Sequence, residues 1–328
     1  MQNVLPTAAD VADAYLRLRD WVVETPVLES EPLNRRIGAR VLFKAECLQR
    51  GGSFKIRGAL NRMLQLSHSE RGAGVIAFSS GNHAQAVALA ASWLGSRATI
   101  VMPGDAPRTK LDGTRALGAD VILYDRERDD REAIAARLAA EGGAALVPPF
   151  DHPHVIAGQG TAALELGRAL AARHGRLDAL YVPCGGGGLV AGSALAIKPL
   201  FADCAVYAVE PVGYSDHADS LAAGERRALK SHPATLCDGL RSPAPGAITF
   251  AINRRELAGA VSVDDETVLE AMALAARHLK LVVEPSGAVG LAALLRGPPA
   301  GRCVGVILSG GNVDPDLLSN ALTSYSTP

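Results

Sequence analysis

Four stretches of this 328-residue chain place reactive or anion-binding groups where chemistry needs them. The most specific is Leu180-Tyr-Val-Pro-Cys184 followed by Gly185-Gly186-Gly187-Gly188 and an apolar run at 189–198, a strand, a glycine turn and a helix. A helix start offers free N–H groups and a positive dipole end, and glycines bring that backbone within reach of an anion. A phosphate cradle is the natural occupation. Gly186, Gly188 and Ala191 also satisfy the dinucleotide pattern G-x-G-x-x-G/A, with Glu210 at the end of the next strand. A nicotinamide dehydrogenase is therefore a rival reading. Its fingerprint normally opens the first βαβ unit, whereas here it lies past mid-chain and leaves the other three stretches without a role.

The second stretch, Gly52-Ser53-Phe54-Lys55-Ile56-Arg57-Gly58-Ala59, opens a helix with a lysine. An amine withdrawn from water beside a positive helix end has a lowered pKa, as imine chemistry requires. The third, Phe78-Ser79-Ser80-Gly81-Asn82-His83-Ala84-Gln85, is a hydroxyl- and amide-lined turn between strand and helix, suited to a carboxylate. It lacks the G-x-S-x-G elbow of a serine hydrolase. The fourth, Val306-Ile307-Leu308-Ser309-Gly310-Gly311-Asn312, sets a hydroxyl at the carboxyl end of a buried strand, where open α/β sheets bind ligands.

Elements must hold these four together. Strands are expected at 41–44, 74–78, 99–102, 120–124, 179–183, 205–209 and 303–308. Helices are expected at 82–94, 131–140, 160–173 and 265–278, after an opening helix capped by Thr7 with Val11, Tyr15, Leu18 and Val22 along one stripe. The alternation predicts an α/β fold of two lobes, each a mostly parallel sheet flanked by helices. Residues 67–151 read as a small lobe inserted into a larger one made of 1–66 and 152–328.

Composition narrows the classes. The hydrophobic fraction is 48% but aromatics are only 4%, so Ala, Leu, Val and Gly carry the packing. A net charge of −1 gives no footprint for nucleic acid or an anionic membrane. No membrane-length apolar run or secretory signal pattern occurs, which reads as cytoplasmic. Cys47, Cys184, Cys204, Cys237 and Cys303 are scattered and odd in number, which argues against a disulfide framework or a zinc site.

At these residues the sequence resembles the fold-type II pyridoxal-phosphate family, which contains threonine and serine dehydratases, serine racemase and the tryptophan synthase β subunit. Its marks are Ser53 to Ala59, Ser79 to His83, the tetraglycine, Val283-Glu284-Pro285-Ser286-Gly287 and Ser309 to Asn312. They run in order along nearly the whole chain and are most similar to the racemase and dehydratase branch.

The resemblance implies that Lys55 holds pyridoxal 5′-phosphate as a Schiff base and that Gly185 to Gly188 bind its phosphate. It sets Phe54 beside the ring, Asn82 at O3′, Glu284 among the cofactor contacts and Ser309 at the pyridine nitrogen. It gives the substrate carboxylate to Ser80, Gly81, Asn82 and His83, and makes Ser80 a second acid–base group. Glu210 and Asp216, with the backbone carbonyl of Tyr214, would hold Mg²⁺, Ca²⁺ or Mn²⁺. The implied activity is β-elimination on L-threonine, L-serine or a related hydroxy amino acid, by a homodimer. A racemase remains the alternative within the fold, as do dehydratases of 3-hydroxyaspartate, phenylserine or a hydroxyectoine-derived substrate. With few residues after Ser309-Gly310-Gly311, no appended regulatory domain or feedback inhibition is expected.

Overall fold

A six-stranded and a four-stranded sheet organise the chain in the computed structural model, which describes residues 4–79, 81–106, 108–125 and 128–325. In chain order the strands are β1 (Val27–Leu28), β2 (Arg40–Ala45), β3 (Val75–Phe78), β4 (Ala98–Pro103), β5 (Asp120–Tyr124), β6 (Ala145–Leu146), β7 (Ala179–Pro183), β8 (Ala205–Pro211), β9 (Gly259–Val263) and β10 (Cys303–Leu308). The larger sheet runs β1-β2-β10-β7-β8-β9 and the smaller β5-β4-β3-β6. Every pairing is parallel except that of β1 with β2.

Parallel strands need both faces covered, and β3 and β7 are buried along their whole length. One face of the large sheet packs on the helices Asp265–Leu274 and Pro285–Arg296, the other on Ala8–Leu18, Pro153–Ala171 and Gly188–Ile197. Small residues set how close these layers come. A Cβ at Gly192 would lie 2.3 Å from the Ile156 carbonyl oxygen, so the helices Pro153–Ala171 and Gly188–Ile197 touch backbone to backbone.

Both sheets change direction once. In the large sheet the order runs β7, β8, β9 to one side while β10 lies on the other side of β7. In the small sheet β3, β4 and β5 run one way and β6 lies behind β3. Such reversals open a crevice at the strand carboxyl ends.

Of the elements expected from sequence, 82–94, 120–124, 179–183 and 303–308 recur with the same bounds. Thr7 caps the first helix through a capping box with Asp10, but the helix ends at Leu18 and Val22 lies beyond it. The helix expected at 160–173 starts earlier, at Pro153, because Gly158 and Gly160 are contact points and not breakers. A Cβ at Gly158 would lie 2.4 Å from the Arg57 carbonyl oxygen. The stretch 265–278 is α-helical to Leu274 and then widens into a π turn, Ala275–Leu279, which brings Leu279 and Leu281 into the core. Strands β1 and β6 have two residues each, too few to show a period.

Candidate active site

One pocket collects the two crevices. It is lined by the loop after β3 (Ser79, Gly81, Asn82), the loop after β6 (Pro149, Phe150), the tetraglycine after β7 and Ser309 after β10. Lys55 enters it at the start of the helix Lys55–Leu64. The segment before that helix is stitched to the end of β10: Ser53 bridges Gly310, and Phe54 N–H donates to the Ser309 carbonyl at 3.1 Å. The lysine and the Ser309 hydroxyl are thus fixed to each other through backbone.

The Lys55 amine donates to the Pro149 carbonyl at 2.9 Å and stands 5.1 Å from the Phe54 ring centre. Burial lowers its pKa from the ordinary 10.5 to about 8, the carboxylate of Glu284 opposing the shift. Glu284 is itself pushed up to about 8 by burial, with Asp238 adding to it. Asn82 Nδ2 donates to Glu284 Oε1 at 2.5 Å, and Asn312 Nδ2 donates to Asn82 Oδ1 at 2.8 Å. This chain of amides ties the carboxylate turn to the loop after β10.

The tetraglycine is a turn that side chains would fill. A Cβ on Gly186 would meet the Phe150 ring at 2.4 Å, one on Gly187 the His217 Nε2 at 2.4 Å, and one on Gly188 the Gln159 Oε1 at 2.5 Å. Gly187 also has φ 93, a left-handed conformation open chiefly to glycine. The backbone amides at the start of the helix Gly188–Ile197 lie in the pocket wall without Cβ atoms over them. Ser309 is buried, and its Oγ reaches the Ser286 carbonyl only at 3.5 Å, so it has hydrogen-bonding capacity to spare. An anionic phosphate, an aldehyde and an aromatic nitrogen are the groups these residues fit.

The expected carboxylate residues divide. Gly81 and Asn82 face the pocket, and Ser80 lies outside the described residues. His83 is also at the wall, but its Nε2 bonds the Val147 carbonyl at 2.8 Å. Burial takes its pKa down to about 3, so the ring is neutral and donates that bond. Its Nδ1 then carries a lone pair and has no hydrogen-bond partner among the described residues.

The proposed cation ligands lie elsewhere. Glu210, Tyr214 and Asp216 are all buried at the end of β8 and the start of the helix Asp216–Ala223. Glu210 accepts the His217 and Ala218 amides at 2.9 and 3.0 Å. Tyr214 spends its hydroxyl on Pro233 and Arg241.

Several wall residues escaped the sequence reading, chiefly Arg131, Pro149, Phe150 and the loop at Asp238–Leu240. Arg131 begins the helix Arg131–Gly142, stacks at 5.5 Å over Phe78 and has no acidic partner among the described residues. Only its position after a capping Asp130 was visible in sequence, and that reads as an ordinary helix start.

Comparison with known proteins places this geometry. A family model described as pyridoxal-phosphate dependent enzyme matches residues 18–310. The L-threo-3-hydroxyaspartate ammonia-lyase of Saccharomyces cerevisiae is 49% identical over 313 residues, covering 95% of this chain and 94% of that one. Serine racemase of Schizosaccharomyces pombe is 44% identical over 98% of both chains. The solved structure of maize serine racemase superposes with a TM-score of 0.91 at 36% identity, covering 98% of both chains. With a lysine, a tetraglycine turn and a strand-end serine around one pocket, the chain belongs to the pyridoxal-phosphate dependent enzymes and has their fold-type II architecture.

Proposed function

We propose that this enzyme is an ammonia-lyase that dehydrates and deaminates a small β-hydroxy amino acid, such as L-threonine or L-serine, to a 2-oxo acid and ammonia. The observation that carries the reading is the meeting of the two strand-end crevices on Lys55, with a neutral serine hydroxyl at the end of β10. Bound pyridoxal phosphate supplies an aldehyde for the amine and a ring that accepts electrons from the substrate α-carbon.

The chain's own residues then have these parts. The Gly185 to Gly188 amides bind phosphate, Phe54 packs on the ring edge, and Asn82 with Glu284 orients the ring oxygen side. Lys55 Nζ, once released from the cofactor, takes the α-proton, a task suited to an amine whose pKa lies near working pH. The turn of Ser80, Gly81, Asn82 and His83 holds the carboxylate and so fixes which α-bond faces Lys55. Ser309 Oγ, unlike a carboxylate, does not hold a proton on a pyridine nitrogen, which favours prompt loss of the β-hydroxyl over transamination. Ser80 serves as the opposite-face acid–base group in the racemase alternative.

Arg131 favours a second substrate reading, 3-hydroxyaspartate. A guanidinium at the wall without an acidic partner among the described residues is suited to a second carboxylate. The similarity to an L-threo-3-hydroxyaspartate ammonia-lyase supports it. The same overall reading takes 1–66 with 152–328 as a large domain, 67–151 as a small one, and a homodimer working in the cytoplasm. No helix among the described residues is long and apolar enough to cross a membrane.

The test is product analysis. Purified holoenzyme is incubated with L-threonine, L-serine and L-threo-3-hydroxyaspartate, and 2-oxo acid, ammonia and D-serine are quantified. Oxo acid and ammonia in equal amounts, abolished in Lys55→Ala, are expected. D-serine formation without oxo acid from any substrate would overturn the lyase in favour of the racemase. Arg131→Ala should lower kcat/KM for the hydroxyaspartate far more than for threonine if the second reading holds.

A further inference from the structure

Gln159 touches three parts of the pocket that the fold brings together from distant stretches of chain. It lies on the helix Pro153–Ala171 and is 1% exposed. Its Nε2 donates to the Pro149 carbonyl at 3.1 Å, the same oxygen that accepts the Lys55 amine at 2.9 Å. A Cβ on Gly58, one turn along the helix from Lys55, would lie 2.9 Å from Gln159 Cγ. One on Gly188, at the end of the phosphate turn, would lie 2.5 Å from Gln159 Oε1. The side chain therefore fills a slot between the lysine helix and the tetraglycine that two glycines keep open.

An amide is an unfavourable choice for such a slot unless it has a task there. Gln159 Oε1 is buried and has no hydrogen-bond partner among the described residues, a condition that a leucine or methionine of similar size would avoid. Turning the amide over would set its oxygen against the Pro149 carbonyl, acceptor to acceptor, so the N–H end faces Pro149. What the amide gains is that one bond. Prolines at 148 and 149 remove two N–H groups from the loop after β6, so backbone bonds can do little to hold the carbonyl in place. Gln159 holds it from the neighbouring helix.

We infer that Gln159 is a positioning residue for Lys55: it fixes the Pro149 carbonyl on which the free amine rests and, by engaging that oxygen itself, keeps the amine loosely held. The inference rests on the reading of Lys55 as the amine that attaches the cofactor. A carbonyl oxygen already accepting one N–H is a poorer acceptor for a second, and the positive ends of two donors on one oxygen repel. Both effects act more strongly on an ammonium than on a neutral amine, so Gln159 favours the form that attacks an aldehyde. Two titratable groups face Lys55 from other elements. Glu284, at the head of the helix Pro285–Arg296, favours the ammonium, and His83 of the helix Asn82–Leu94 is neutral. Arg131 lines the same pocket, and Asp238 and Lys110 act on Glu284.

The experiment compares wild-type apoenzyme with Gln159→Met, in which the side chain keeps its length but loses its N–H. Capture of pyridoxal phosphate is followed by stopped-flow absorbance across the pH range, and the attachment is trapped with borohydride and mapped. The midpoint of the rate profile should rise by about half a pH unit or more in Gln159→Met, which makes capture at pH 7 roughly threefold slower, with the plateau at high pH little changed. A lowered plateau with an unmoved midpoint would mean that Gln159 only fills space, and a lowered midpoint would mean that it strengthens the hold on the ammonium; either overturns the inference. A measurement on the wild-type chain does not depend on how the variant folds. In apoenzyme labelled with ¹⁵N-glutamine, one side-chain amide resonance should titrate with the Lys55 midpoint and cease to do so in Lys55→Ala. Absence of such a resonance would overturn the inference as well. Cofactor trapped on a residue other than Lys55 would instead overturn the reading of Lys55, and the inference with it.

Discussion

The protonation of Lys55 gives the sharpest quantitative test of the site, because it governs how the apoenzyme takes up its cofactor. Only the free amine attacks an aldehyde. The structure puts the Lys55 pKa at about 8, lowered by burial of the amine from an ordinary 10.5. At pH 7, one unit below its midpoint, about one amine in eleven is then free, whereas an ordinary lysine would have about one in three thousand. The pocket therefore raises the reactive fraction at neutral pH by about 300-fold. The direction follows from the sign of the shift: lowering a lysine pKa increases the amine form at every pH below the ordinary value.

The assay is stopped-flow absorbance of apoenzyme mixed with limiting pyridoxal phosphate from pH 6 to pH 10.5. Borohydride trapping and peptide mapping confirm that the attachment is at Lys55. The second-order rate should climb about tenfold per unit below the midpoint and flatten above about 8. Glu284→Gln should move that midpoint down, since the Glu284 carboxylate is the group that favours the charged amine. A rate still climbing through pH 10, or a midpoint raised by Glu284→Gln, would refute the electrostatic picture of the pocket.

Three other perturbations follow from the same geometry. Gly186→Ala should lower cofactor retention by about 1–3 kcal/mol, because the new Cβ would meet the Phe150 ring at 2.4 Å. Gly186→Ala with Phe150→Ala should recover it, as fluorescence titration of the cofactor would show. Lys110 pairs with Asp238, and its ammonium lies 3.5 Å from where a Cβ on Gly81 would be. Lys110→Ala should raise KM roughly fivefold with kcat little changed, since a partly buried charge that is already paired with Asp238 is worth about 1 kcal/mol to a second carboxylate. Arg57 donates to Glu46 and Glu165 in a fully buried cluster that also holds Lys44. Glu165→Ala leaves those cations partly unpaired and should cost about 3–5 kcal/mol in denaturant unfolding.

What the sequence revealed and what it hid have a common physical cause. Lys55, Gly185 to Gly188 and Ser309 sit at strand ends or helix starts, where position along the chain already sets exposure to the crevice. Their motifs are local, so they can be read one at a time. Arg131 and Phe150 reach the same pocket from an ordinary helix start and a motif-free loop. Their role depends on β6 lying behind β3, a pairing no local pattern encodes. The insertion of β10 between β2 and β7 is likewise a long-range event. Cys184 shows the limit most clearly. From spacing alone it read as one of five scattered thiols, and only the β7–β8 register sets it beside Glu210.

That register also seats the phosphate turn on the buried residues past the end of β8. Cys184 is continuous with Gly185, and Gly187 rests on His217: a Cβ there would lie 2.4 Å from His217 Nε2 and 2.7 Å from Asn253 Nδ2. Asn253 Nδ2 in turn donates to the Gly187 carbonyl at 3.4 Å and lies 3.1 Å from His217 Nε2. The buried imidazole is therefore the floor on which the phosphate turn stands. His217→Ala removes that floor and leaves a void beside a left-handed glycine, so the turn gains freedom that phosphate binding must then remove. The expected result is weaker binding of pyridoxal phosphate with the Lys55 midpoint near pH 8 unmoved, because the amine's surroundings are untouched. Equilibrium dialysis of the cofactor, run beside the stopped-flow profile, separates the two quantities. An unchanged affinity would mean that the turn is held by Phe150 and Gln159 alone, and a shifted midpoint would mean that the disturbance reaches across the pocket to Lys55.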